Sequence, residues 1–290
     1  MTQVDPFETL KECLAVIASG QATALTYQLR GTAYQSLGAL EAAVEDYGAA
    51  LDFNPPPSVA QLAQLSDARN VCYRQLSRYP EGIADGETAV QLAPQCAAYR
   101  LNLGHIRYWF QDYRGALHDL DQALRLDSTL REAYAVRGRV YLADRLYWRA
   151  LEDFSTALAQ EPAALYYLWR AEAYLAVRGF REAETDCTAG LALDPADWRL
   201  WQNRGYARYY GQLNFGGAVV DFTESLRRHT HEDSYLGRGL VYQAIGANNA
   251  AAHDLNHFVR LHPDGTTAGL KELTTILTRL NATPAGVAPN

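Results

Sequence analysis

The sequence predicts an all-α protein built as a stack of about seven helical hairpins, and three observations predict it. The dipeptide Arg-Gly recurs at Arg30-Gly31, Arg137-Gly138, Arg204-Gly205 and Arg238-Gly239. The step from Gly138 to Gly205 is 67 residues, close to two periods, and the step from Gly205 to Gly239 is 34. An aspartate keeps the same beat at Asp46, Asp85, Asp119, Asp153, Asp186, Asp221 and Asp254, with gaps of 39, 34, 34, 33, 35 and 33 residues. Within each period the apolar residues fall at helical spacing. A fixed period of this length marks an array in which each unit buries its apolar face against the next.

Each element can be justified in order. Asp5 can cap a first helix that has Pro6 in its first turn and Glu8 three residues on. Phe7, Leu10, Leu14 and Ile17 form its apolar stripe and Gly20 ends it, so residues 1–23 read as an N-terminal capping helix. The seven hairpins are expected at 24–57, 63–96, 97–130, 131–163, 164–197, 198–231 and 232–265. In the fourth, Tyr134, Arg137, Gly138 and Tyr141 share one helical face. A break follows near Asp144 and Arg145. Ala150, Phe154 and Ala157 then mark a second helix, which Pro162 stops. A glycine inside a helix costs about 1 kcal/mol relative to alanine. The expectation is that Gly138 packs on Ala150, Gly205 on Ala218 and Gly239 on Ala251, and that close helix approach offsets this cost.

Two hairpins depart from the pattern. The second carries Asn70 where glycine is expected, and Gly82 and Gly86 where alanine and an aromatic are expected. It is therefore expected to be the least stable. It follows "NPPPS", whose Ser58 can cap a longer helix. The sixth holds one extra residue within "GQLNFGGA". Beyond the hairpins, Leu270, Leu273, Leu277 and Leu280 line one face of an expected C-terminal capping helix at 266–281, and 282–290 reads as a disordered tail.

The residues that repeat follow the pattern of an aromatic, a small residue, another aromatic, then alanine, an aromatic, alanine and proline, met well though not at every position. In the last hairpin they are Tyr235, Gly239, Tyr242, Ala251, Leu255, Phe258 and Pro263. This pattern resembles the tetratricopeptide repeat, and the resemblance covers over four fifths of the chain. It implies a right-handed α-α superhelix whose first helices line a concave groove that holds a peptide or helix of a partner protein. Projecting each first helix away from its packing face gives the expected groove residues. They are Asn102, His105, Tyr108 and Trp109; Glu132 and Arg139; Trp169 and Glu172; and Arg199, Asn203, Tyr206, Tyr209 and Tyr210. Aromatic rings offer contact area at low entropic cost, and amides can bond a peptide backbone. The lysine- and asparagine-based carboxylate clamp of some relatives is not evident.

Six of the seven hairpins pair an arginine with the periodic aspartate: Arg30/Asp46, Arg69/Asp85, Arg137/Asp153, Arg170/Asp186, Arg204/Asp221 and Arg238/Asp254. The third has Leu103 with Asp119. The arginine lies on the apolar face of its helix, where a guanidinium needs a carboxylate. These pairs read as structural, and spacing leaves open whether each arginine meets its own or a neighbouring hairpin's aspartate.

The net charge of −7 disfavours a phosphate backbone as partner, so nucleic acid is not expected. No apolar run approaches membrane-spanning length, and the first residues lack the basic and apolar regions of a signal peptide. A cytoplasmic location is the expectation. Cys13, Cys72, Cys96 and Cys187 lack metal-ligand or disulfide spacing and read as small buried groups. His253 and His257 stand four apart, with His229, His231 and His262 nearby, but "HDLNH" lacks the glutamate of a zinc-protease helix. No phosphate loop, nucleophile elbow or pocketed carboxylate pair is present. The reading is a non-catalytic interaction scaffold or adaptor without cofactor or metal. The alternatives are metal binding at the C-terminal histidines and a self-assembling structural solenoid.

Overall fold

The computed structural model describes residues 5–261. The expected helix at 266–281, the tail at 282–290, His262 and Pro263 lie outside the described residues. Among the described residues the chain is all helical, as the repeat pattern predicts. A leading helix α1 (Pro6–Ala18) is followed by consecutive pairs: α2 (Ala24–Ser36) and α3 (Leu40–Leu51); α4 (Val59–Gln75) and α5 (Tyr79–Leu92); α6 (Ala97–Trp109) and α7 (Tyr113–Leu126); α8 (Arg131–Ala143) and α9 (Tyr147–Gln160); α10 (Ala164–Ala176) and α11 (Phe180–Leu193); α12 (Trp198–Ala207) and α13 (Phe215–Arg228); α14 (Glu232–Ala244) and α15 (Asn248–Leu261). The chain divides into two compact units after Asp144. The first holds α1–α8 and the second α9–α15.

Local chemistry sets the ends. Asp5 accepts the Phe7 N–H at the start of α1. Thr23 with Thr26, and Ser58 with Gln61, close reciprocal capping boxes on α2 and α4. The short turns that close the hairpins place one residue in the left-handed region: Gly38, Ser77, Gln111, Arg145, Arg178, Leu213 and Gly246. In five of them the next N–H reaches back five residues, as Ala39 does to the Tyr34 carbonyl and Ala247 to that of Tyr242. This closes the helix end in the Schellman manner.

The core repeats one complementary pair. A Cβ built on Gly31 would lie 2.9 Å from the Tyr47 ring, on Gly104 2.7 Å from Leu120, on Gly205 3.0 Å from the Phe222 ring and on Gly239 2.7 Å from Leu255. The sequence expectation of glycine against alanine is therefore corrected for Gly205 and Gly239. Each glycine makes room for the large residue one helical turn beyond the alanine, because that side chain has to fill the space between the two helices. The second hairpin runs the same pair backwards. Asn70 fills the space, and a Cβ on Gly86 would fall 2.3 Å from its Nδ2. Asn70 is fully buried and donates to the Gly82 carbonyl at 2.9 Å. The glycines of α5 thus accommodate Asn70, and also Ile106, which a Cβ on Gly82 would approach to 2.3 Å.

Arg30, Arg69, Arg170, Arg204 and Arg238 each grip the aspartate of their own hairpin through Nε and Nη2, at 2.6–3.1 Å. Aromatic rings at −3 and +4 flank the guanidinium where both are present, as Tyr27 and Tyr34 flank Arg30. In the third hairpin the roles are exchanged. Leu103 takes the central position, Arg100 and Arg107 take the flanking ones, and both converge on Asp119.

A third guanidinium nitrogen ties neighbouring hairpins together. Arg170 Nη1 donates to Ser155, Arg204 Nη1 to Thr188, and Arg238 Nη1 to Thr223, each acceptor two residues after the preceding periodic aspartate. Arg137 Nη1 meets Asp121 and Arg107 Nη2 meets Glu87 by the same rule. At the equivalent position beside Arg69 stands Gly48, where a built Cβ would lie 3.4 Å from Nη1. Gly48→Ser should add a hydroxyl acceptor and remove a helical glycine, raising stability by about 1 kcal/mol. Urea titration of the full chain measures the gain, and Gly48→Ala separates its helix-propensity part.

The extra residue of the sixth hairpin is absorbed in a π-helical turn at Arg208–Gln212, which widens the end of α12 without displacing Asp221 from Arg204. It also brings Arg208 onto Asp221 at 2.9 Å.

Candidate functional site

In the first unit the first helices α4, α6 and α8 pack in succession. On α6, Asn102 donates to both carboxylate oxygens of Asp67 on α4 at 3.0 Å. His105, one turn on, is driven down to about 3 by burial and secondarily by Arg74 of α4, so its imidazole stays neutral. Tyr108 lies edge-on to Trp109 and beside Tyr113, and its hydroxyl accepts from Arg139 of α8 at 3.3 Å. Trp109 leaves 51% of its surface exposed. Glu132 is exposed and bonds Arg131.

In the second unit, Glu172 of α10 acts electrostatically on Arg199 of α12, which forms a two-toothed pair with Asp197. Asn203 is half-buried. Trp169 packs against Phe154 and Tyr166, next to the core around Leu168 and Leu200. The three tyrosines divide. Tyr206 lies edge-on to the Phe222 ring and donates to the Asp233 carbonyl at 2.7 Å. Burial pushes its phenol far up. Tyr209 packs near Phe215 and joins the same core. Tyr210 stacks on Phe180 yet stays 53% exposed. The expectation that the three tyrosines fall mostly opposite the packing face is corrected for Tyr206 and Tyr209. Tyr206 meets α13 and α14 from the regular part of α12, and Tyr209 meets Phe215 of α13 from the widened turn, where ring burial is worth more than exposure.

A family model of the tetratricopeptide repeat matches residues 24–57. A curated relative, tetratricopeptide repeat protein 16 of Macaca fascicularis, is 27% identical over 190 residues. That match takes in 60% of this chain, which spans only 22% of the relative. Among solved structures, a tetratricopeptide repeat protein from Parabacteroides merdae superposes with a TM-score of 0.59 at 17% identity, over 96% of this chain and all of that one. YrrB, described as a TPR protein with an unusual peptide-binding site, gives a TM-score of 0.55 at 18% identity, over 68% of this chain and 98% of its own.

Residues 24–57 match the tetratricopeptide repeat, and the described chain has the fold of tetratricopeptide repeat proteins. The periodic arginine and aspartate, absent from the pattern used to recognise the repeat, fasten the two helices of a hairpin.

Sequence reasoning passed over Asp67 and Arg74 of this repeat protein because the second hairpin was off pattern. Arg74 stands five residues after the anchoring Arg69, the offset that yields Tyr108 and Tyr209 in other repeats, so the same projection would have found it. Burial raises the Asp67 carboxyl from 3.8 to about 6, and the Asn102 amide offsets part of that. The folded chain thus holds a proton there that the unfolded chain has released. Stability from this group is present at low pH and is lost as pH rises through about 4 to 6. Asp67→Asn should match wild type near pH 4 and be about 2 kcal/mol more stable above pH 7. Denaturant titrations at both pH values give the comparison.

The remaining polar candidates carry no chemistry of their own. Cys13, Cys72 and Cys187 are buried free thiols, and burial pushes Cys72 up to about 11, far from a reactive thiolate. His253 lies exposed beside Asp254, whereas His257 packs on the Tyr235 ring at 4.0 Å. Among the described residues no group of three or more histidine, cysteine or acidic side chains is placed to hold a metal. No described helix is long and apolar enough to cross a membrane.

Proposed function

We infer that the protein is a non-catalytic scaffold that holds a peptide or helix of a partner protein along the inner faces of its first helices. The carrying observation is Trp109. A core would bury it, yet half of its surface is open, supported from beneath by Tyr108 and flanked by Arg139. Exposed tryptophan and tyrosine held rigid by neighbours, with arginine close by, form the kind of surface from which binding hot spots are made. Stacked helices preorganise such side chains, so a flexible ligand bears most of the ordering cost. The peptide-binding site named for YrrB supports the same reading.

Affinity capture followed by mass spectrometry tests it. The full chain is compared with Trp109→Ala and Tyr210→Ala, both truncations at half-exposed rings. A partner retained by wild type and lost by at least one variant is the expected result. Capture that is identical in all three, or empty with wild type, overturns the reading.

A further inference from the structure

We propose that the face shared by α4 and α6 is a two-charge subsite that selects an extended ligand segment with a basic and an acidic side chain about three residues apart. The inference rests on the groove reading above and gives that ligand its chemistry.

Two charged groups on this face lack an opposite charge. The Arg74 side chain makes no hydrogen bond or ion pair among the described residues, and its Nε is buried without a partner. This sets it apart from Arg30, Arg69, Arg107, Arg170, Arg204, Arg208 and Arg238, each of which meets a carboxylate. Asp67 receives the Asn102 amide and no cation. A half-buried charge without its opposite is costly to keep, and a ligand that supplies the opposite recovers that cost.

Helical spacing fixes the distance. Asp67 and Arg74 stand seven residues apart on one face of α4, about 10.5 Å along its axis. That is too far for them to neutralise each other. An extended chain in the polyproline II conformation advances about 3.1 Å per residue with three residues per turn, so side chains three apart share a face and cover most of the gap. Helical spacing places Val71 between the two on α4, Tyr99 of α6 lies close enough to Asp67 to feel its charge, and the neutral His105 feels that of Arg74. Asp67 therefore takes the ligand's lysine or arginine, and Arg74 takes its aspartate or glutamate.

The test uses an array of acetylated decapeptides, each with one arginine and one glutamate in a glycine-serine-alanine background. Spacing runs from one to six and both orders are included. Fluorescently labelled full-length protein is the probe. The expected result is a maximum at spacing three in one order, about tenfold above the same composition at spacing one or six. Arg74→Gln and Asp67→Asn should each flatten that maximum, and Asp67→Arg with Arg74→Glu should reverse the preferred order. If the charge-reversed protein fails to fold, the two neutral variants carry the test. Wild-type binding independent of spacing and order, with partner capture intact, overturns the subsite and leaves the groove reading standing. An array and a capture that both return nothing overturn both.

Discussion

Asp221→Ala is expected to destabilise the sixth repeat by about 3 kcal/mol, the low end of the 3–5 kcal/mol that follows removal of one member of a buried pair. Asp221 is fully buried and receives two arginines. Arg204 donates to it at 2.8 and 3.1 Å, and Arg208 at 2.9 Å. Burial holds its carboxyl above the ordinary range even with both guanidiniums present, so desolvation here is severe. Truncation leaves two cations facing a space without an anion. The low end applies because each guanidinium keeps an edge in water, with 12% and 21% of its side chain exposed. In a repeat array stability is close to a sum of unit and nearest-neighbour contributions, so the loss should be local. Hydrogen exchange should show faster exchange in α12–α14 and unchanged protection in α2–α3. Uniform loss across the chain, or a change below about 1 kcal/mol, would show that the pair does not fasten this hairpin. Asp221→Asn, which keeps an acceptor, should lie between the two.

Gly86→Leu is expected to cost more than about 3 kcal/mol, although it removes a helical glycine and supplies the large apolar side chain that most other repeats carry there in the form of leucine, phenylalanine or tyrosine. The physical reason is occupancy. Asn70 already fills the space between α4 and α5, and even a methyl on Gly86 would lie 2.3 Å from its amide nitrogen. Asn70→Gly alone should also destabilise, by opening a cavity and removing the bond to the Gly82 carbonyl. The double variant, Asn70→Gly with Gly86→Leu, should regain most of the loss, since it rebuilds the order seen at Gly104 and Leu120. A double-mutant cycle by urea denaturation gives the coupling, expected at about 2 kcal/mol or more. Additive losses would refute the exchange of roles. The cycle also bears on the sequence expectation that this hairpin is the weakest. Glycine propensity argues for weakness, while a filled interface argues against it.

The anchoring arginines and aspartates were legible because one residue type recurs at one offset. The third repeat hid its version. Arg100 and Arg107 occupy the flanking aromatic positions and Leu103 the arginine position, so a search for arginine at a fixed place finds leucine. The charge was conserved in space and moved in sequence by about one turn either way, which a long flexible side chain permits. The candidate surface was half legible for a related reason. Helical projection says which face a residue occupies, and it found Trp109 and Tyr210. It does not say which rings another helix will cover, so Tyr206 and Tyr209 were placed on the surface although Tyr206 meets Phe222 and Tyr209 meets Phe215.

The amino-acid sequence alone determined the helical hairpin, its period and the recurrence of arginine and aspartate at one offset, because these depend on spacing along one chain. Only the tertiary structure decided which arginine meets which aspartate, that Asn70 and Gly86 exchange places, and that Asp67 and Arg74 face α6 without opposite charges. Those facts depend on distances between helices, and helical spacing constrains a face without saying what will stand across from it.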